Sequence, residues 1–322
     1  MACHIVRFQK NGSSEIQWGV LEEKIYPIAG DYNLTADFIA QGKDKAFALQ
    51  EDIQAGKVVE GLNVEEVTLL PPVTKPCQVL CQGANYRKHM IESGMNPDDK
   101  KFNMFFNKSA ASISGPNTDI IKPEHVRLLD YEVELGLVIG ASVTEAQNFQ
   151  VADLSKVIAG IVIGNDVSAR DVQVPQMQFY KGKSYRTFCP VGPYLCLLKP
   201  EEIKYLDQLE LKLTVNGEVR QSDNTKNLVF KPAETLSELS QVTDLNVGDL
   251  VMTGTPAGCA MRIPSPVVTK VAALLPEATK WKMFRKTQSK RRQYLQAGDI
   301  VRTTIASLDG VIDLGVQENR VV

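Results

Sequence analysis

The chain is expected to fold as an α+β protein, mainly β, with a small N-terminal domain. Three observations predict this. Between residues 128 and 260 short apolar runs alternate with turn signals, the pattern of closely spaced strands rather than of strands separated by long helices. Asn216-Gly217 lies between two such runs and is the residue pair a tight hairpin demands. Three prolines within six residues, in Leu70-Pro-Pro-Val-Thr-Lys-Pro76, stop regular structure and set residues 1–70 apart from residues 71–322.

Taken in order, the first residues, Met1 to Arg7, alternate like a strand. Trp18-Gly-Val-Leu-Glu22 and Lys24-Ile-Tyr-Pro-Ile28 suggest a hairpin, and Ala36 to Gln50 a helix. After the prolines, Gln78 to Gln82 reads as a short strand. Asn85 resembles an N-cap, with Tyr86 to Ser93 a brief helix closed by Gly94. Asn103 to Lys108 is another strand. The two most apolar runs, Val133 to Ile139 and Val157 to Gly164, belong in the centre of a core. There is no internal repeat.

Composition narrows the class. A chain of 322 residues with 43% hydrophobic residues can build a sizeable core, and a net charge of −2 gives no general attraction to nucleic acid or anionic membrane. No run approaches the ~18 apolar residues of a membrane span. The N-terminus lacks the basic-then-apolar layout of a signal peptide. Six cysteines form no C-x-x-C pair and read as reduced, mostly buried thiols. The expectation is a cytoplasmic protein.

Within Asp130-Tyr-Glu-Val-Glu-Leu-Gly-Leu-Val-Ile-Gly140, Glu132 and Glu134 are two apart on an apolar strand. Residues i and i+2 share one face, roughly 7 Å apart. Two carboxylates there repel each other and resist desolvation, so either a cation lies between them or that face is wet. Asp166 ends the apolar run that begins at Val157, a position at the rim of a sheet. Three carboxylates make the oxygen-rich set that suits Mg²⁺ or Mn²⁺. With three histidines and no close Cys/His cluster, zinc is disfavoured.

Glu132-Val-Glu134, Asn165-Asp-Val-Ser-Ala-Arg-Asp171, Gly182-Lys-Ser184, Phe188-Cys-Pro190 and Thr253-Gly-Thr-Pro-Ala-Gly258, with Gly83-Ala-Asn-Tyr-Arg-Lys-His89-Met-Ile-Glu92 before them, resemble the fumarylacetoacetate hydrolase family. The likeness covers about residues 75–261 and resumes near Gly298-Asp299. It implies a fumarylacetoacetase C-terminal-like β-roll or sandwich, a homodimer, and a Mg²⁺ or Mn²⁺ held by Glu132, Glu134 and Asp166. The hydrolytic members place a water-activating His and Glu on a lid, which corresponds to His89 and Glu92 here. These two sit three apart, on one helical turn.

The resemblance points to Lys183, rather than Lys181, as the lysine that holds an oxyanion or substrate carboxylate. Arg170 either binds substrate or is structural, paired with Asp171 or a carbonyl. Gln173 is a hydrogen-bond donor to substrate. Thr255 is either the substrate-side hydroxyl or a turn residue before Pro256. Cys81 lies in a strand with nothing to lower its pKa and is no nucleophile. His4 and His125 lack acidic partner sets and read as structural or exposed.

The implied reaction is hydrolysis of a carbon–carbon bond in a β-diketo acid of the acylpyruvate or fumarylpyruvate type. The alternative is decarboxylation of an oxaloacetate-type β-keto acid, or keto–enol isomerisation. A non-catalytic binding or scaffold member is a third reading, and a nucleic-acid module a fourth. The last two rest on the basic segment 280–292, within residues 262–297, where the chain departs from the family. This long connection contains an apolar run, Val267 to Leu275, and then seven basic residues and no acid between Lys280 and Arg292. It reads either as a solvated basic helical hairpin or as a cover or dimer element that brings positive charge towards an anionic substrate.

Overall fold

The computed structural model describes all residues except 1, 59 and 264–273. Its centre is the strand Val133–Ile139, buried on both faces. The antiparallel strands Ile158–Asn165 and Leu250–Met252 flank it, and Val79–Gly83 runs parallel beyond the latter. Continuous apolar runs are what strands covered on both sides require. Odd-numbered residues Val133, Leu135 and Leu137 face one core, while Val138 faces another.

The first core lies between this ten-stranded sheet and a four-stranded antiparallel sheet. The smaller sheet is built from Leu209–Val215, Glu218–Asn224, Ile300–Ser307 and Asp313–Arg320. Its first two strands are joined by Asn216 and Gly217, both at positive φ (50° and 82°), the geometry foreseen for that pair. The second core is closed by helices Thr35–Gln41 and Lys43–Gln54, where Trp18 stacks on Phe38 at 4.5 Å. One helix was expected over Ala36–Gln50. The two helices meet at Gly42, which has no side chain to hold the turn.

The N-terminal segment is not a sheet of its own. Strand Cys3–Lys10 pairs with Ile16–Leu21 on one side and with Leu195–Leu197 on the other, so the foreseen hairpin is the edge of the large sheet. The prolines after Leu70 end a strand without separating a core. Among the described residues no helix is long and apolar enough to cross a membrane.

Among the described residues of the 262–297 connection, Glu277–Gln288 form a helix. Trp281, Phe284, Gln288 and Arg291 turn inward, while Lys282, Arg285, Lys286, Lys290 and Arg292 are exposed. The apolar run Val267 to Leu275 lies, through residue 273, outside the described residues.

Candidate metal centre and reactive pocket

Strand pairing brings the three acids together. Gly164 is opposite Glu134 and Asn165 opposite Val133. Asp166 then follows directly, its N–H donating to the Glu132 carbonyl at 2.8 Å. Carboxylate oxygens of Glu132, Glu134 and Asp166 lie within 4.8 Å of one another, and all three side chains are buried. Their environments differ. Burial alone would raise the Glu132 pKa, but the Arg170 guanidinium and the Lys183 ammonium outweigh it and hold the carboxyl at about 2. Glu134 is pushed well above the usual carboxylate range by burial and by the charges of Asp166 and Glu132.

Among the described residues a single neutral donor, the Gly254 N–H at 2.7 Å, serves Glu134. Gly254 has φ +94°, and a Cβ there would lie 2.9 Å from that of Asn85, so only glycine brings this amide so near. A buried carboxylate between two others needs a proton or a cation. The all-oxygen donor set fits a hard divalent ion, and these three residues would hold it.

Two lysines serve the trio. Lys183, in the short helix Phe179–Lys183, donates to Glu132 Oε2 at 2.7 Å, Asp166 Oδ2 at 2.5 Å and Ser168 Oγ at 2.9 Å. Burial alone would lower its pKa, but Asp166 and Glu132 overcome this and keep it a cation. Lys108, which closes the strand Met104–Lys108, donates to Asp166 Oδ1 at 2.5 Å and to the Phe188 carbonyl at 2.9 Å. The sequence reading placed this strand but gave Lys108 no role. A lysine ending an apolar strand was its one signal.

Arg170 is committed within the protein. Its Nε donates to Asp130 Oδ2 at 2.8 Å, one terminal nitrogen donates to Glu132 and the other to Gln173 Oε1 at 2.9 Å. The pairing expected with Asp171 is absent, because Asp171 accepts from the backbone N–H of Arg127 instead. Asp130, whose role was also missed, takes the amides of Ala260 and Met261 as well, at 2.7 and 3.0 Å. Thr255 accepts from Gln221 Nε2 at 2.8 Å. Gln221 comes from the hairpin of the smaller sheet, and no motif marked it.

A cavity of about 130 Å³ opens onto Glu132 and Glu134, and His89, Gln173, Lys183 and Thr255 line it. His89 is on the helix Arg87–Glu92. Among the described residues its Nδ1 is buried without a hydrogen-bond partner, and burial lowers its pKa, which favours the neutral ring. Glu92 does not orient it. That carboxylate accepts from the Gly258 N–H at 3.1 Å, and no hydrogen bond joins it to His89 among the described residues. Nor does Asn85 cap the helix, whose N-cap is Tyr86. The Asn85 amide instead spans the Phe230 and Thr253 carbonyls, each at 3.0 Å, and ties the helix base to the wall that carries Gly254. Cys81 is buried with its pKa raised well above the thiol range by burial, in line with an inert thiol.

This geometry has relatives. The chain is 38% identical over 206 residues to oxaloacetate tautomerase Fahd2a, mitochondrial, of Rattus norvegicus, a match covering 64% of each chain. It is 36% identical over 233 residues to oxaloacetate tautomerase YisK of Bacillus subtilis, covering 71% of this chain and 75% of that one. The match to the rat relative thus spans less than two thirds of that protein's length. The fold superposes on a fumarylacetoacetate hydrolase from psychrophilic Exiguobacterium antarcticum with a TM-score of 0.71 and 27% identity, covering 99% of both chains. Residues 78–322 match the fumarylacetoacetate hydrolase C-terminal domain. With that match over most of its length, the chain belongs to the fumarylacetoacetate hydrolase family.

Proposed function

We propose that this chain interconverts the keto and enol forms of a compact 2-oxo dicarboxylic acid of the oxaloacetate type, with Mg²⁺ or Mn²⁺ at Glu132, Glu134 and Asp166. The observation that carries this reading is the neutral imidazole of His89 on the cavity wall, which among the described residues donates no hydrogen bond to Glu92. Hydrolysis of a diketo acid needs a positioned, activated water, for which an acid-oriented imidazole is the usual base. Tautomerisation needs one group that takes a proton from the carbon next to the carbonyl and another that stabilises the oxygen. The similarity to two proteins named oxaloacetate tautomerase supports the same reading. So does the size of the cavity, well below the roughly 300 Å³ at which pockets for drug-sized ligands begin.

A bound divalent ion would supply Lewis acidity towards the carbonyl oxygen. The chain's own residues do the rest. In the keto-to-enol direction His89, uncharged at neutral pH, takes the proton from the substrate carbon. The resulting imidazolium gives it to the substrate oxygen, forming the enol O–H, and the reverse direction runs the same two transfers backwards. Lys183, held as an ammonium, steadies the negative charge that develops on the oxygen. With its Oε1 occupied by Arg170, Gln173 has its amide N–H groups left to donate to a substrate carboxylate. Thr255, whose oxygen accepts from Gln221, has its own hydroxyl hydrogen to give.

The test is the relaxation of the ultraviolet absorbance of enol-oxaloacetate, measured beside acetylpyruvate cleavage, with Mg²⁺, with Mn²⁺ and with EDTA. EDTA-sensitive acceleration of the relaxation, with acetylpyruvate untouched, is the expected result. Release of acetate and pyruvate at a comparable rate would restore the hydrolase reading.

A further inference from the structure

The described residues of the 262–297 connection reach the wall of the pocket. Gln288, the one fully buried residue of the helix Glu277–Gln288, donates from Nε2 to the Arg262 carbonyl at 2.7 Å, and its Oε1 accepts from the Tyr294 hydroxyl at 2.8 Å. Three residues on, Arg291 Nε donates to the Ala260 carbonyl at 2.7 Å. These bonds hold Ala260 to Arg262 from outside. From inside, Asp130 holds the Ala260 and Met261 amides. Met261 lines the cavity, and the same Asp130 carboxylate fixes Arg170, which reaches Glu132.

We propose that Gln288 and Arg291 are positioning residues for the reactive pocket. They clamp the 260–262 segment so that Met261 closes one side of the cavity and Asp130 keeps Arg170, and through it Glu132, in register. An exposed basic helix needs no buried glutamine to stay in solution, and a surface ornament needs no arginine bonded to a cavity wall. The Gln288 amide N–H is spent on the backbone of a segment that lines the pocket through Met261 and meets Asp130. A 2-oxo acid small enough for this cavity touches Met261, so the placement of that wall sets how tightly it is held. This inference rests on the reading of the pocket given above.

The experiment uses full-length protein loaded with Mn²⁺ and titrates oxalate, a planar mimic of the carboxylate and carbonyl of a 2-oxo acid, by calorimetry. Gln288→Met and Arg291→Met are each expected to weaken oxalate by roughly tenfold, the scale seen when outer supports of a metal site are lost. Arg291→Lys, which keeps an N–H donor, restores most of the affinity. Tyr294→Phe, which removes one hydroxyl and no volume, gives a smaller loss in the same direction and serves if the other variants fold poorly. Oxalate affinity unchanged in all four, even alongside a lower melting temperature, would overturn the proposal and leave the helix a purely structural element. If wild-type Mn²⁺ protein binds no oxalate, the tautomerase reading fails separately. The Mn²⁺ affinity of Gln288→Met then decides this inference, weakened binding supporting it and unchanged binding overturning it.

Discussion

Lys108 and Asp166 form an ion pair at 2.5 Å with both side chains fully buried. The pair fixes one oxygen of Asp166 and leaves the other towards Glu132 and Lys183. Breaking a buried pair by removing one partner strands the other charge, at a cost of roughly 3–5 kcal/mol. Lys108→Met is therefore expected to destabilise the metal-free protein by about that amount in urea titration. Added Mn²⁺ should recover part of the loss, since it offers Asp166 another cation. A variant as stable as the wild type would show that Lys108 is no more than filler.

Glu134 gives the opposite sign. Its carboxylate lies among like charges with one amide donor. Glu134→Gln removes the repulsion and keeps the shape, so the metal-free protein should melt higher than the wild type. The same change deletes one of the three proposed ligands, so the rise in melting temperature expected from Mn²⁺ in the wild type should vanish, and turnover with it. Differential scanning fluorimetry with and without Mn²⁺ reads both effects. A Mn²⁺-induced rise that survives in the variant would remove Glu134 from the ligand set.

What the sequence made legible followed from local periodicity. Glu132 and Glu134 share a face because strands alternate, and Asp166 ends a run whose antiparallel neighbour is their own strand. The residues that stayed hidden have distant partners. Lys108 meets Asp166 across 58 residues, and Asp130 meets Arg170 across 40. Nothing near either residue in the chain announces a partner. The prolines after Leu70 looked like a domain boundary, yet His4 pairs with Cys196 in one sheet, a non-local choice that local breakers cannot veto. Asn85 satisfied every local rule for an N-cap, but two backbone carbonyls from elsewhere in the fold claim its amide.

Stability should fall on mild acidification, and His4 is one cause. Burial lowers its pKa below the ordinary 6.5, against weaker opposing effects of Asp313 and Glu22, and its Nε2 has no partner among the described residues. Below pH 6.5 the unfolded chain takes up a proton that the folded chain refuses. Its contribution is thus fully present above that pH and is lost as pH falls towards the folded-state value. The pKa of His89 is lowered in the same sense, so His4→Phe should flatten the slope of unfolding free energy against pH without abolishing it. Denaturant titrations at a series of pH values test this. A slope identical to the wild type would mean that His4 is not neutral in the fold.

His89 and Glu92 separate the two chemistries most directly. If His89 is the proton carrier, His89→Gln should lower enol–keto turnover by about 10²–10⁴-fold, the usual worth of a positioned acid or base. Mn²⁺ binding should stay intact, because the imidazole is not among the three groups that could hold the ion. Glu92→Gln tells more. Its carboxylate accepts from the Gly258 amide and is not bonded to the ring, so the variant should keep most of its tautomerase rate, with any loss falling on KM through the loop at Gly258. A water-activating pair behaves otherwise, since loss of the orienting acid lowers kcat nearly as far as loss of the base. The two variants assayed together on oxaloacetate therefore decide the mechanism. A large kcat loss confined to His89→Gln fits the proton carrier. Equal losses in both would mean that the lid closes over substrate to bring Glu92 onto the imidazole, and that an attacking water belongs in the reaction.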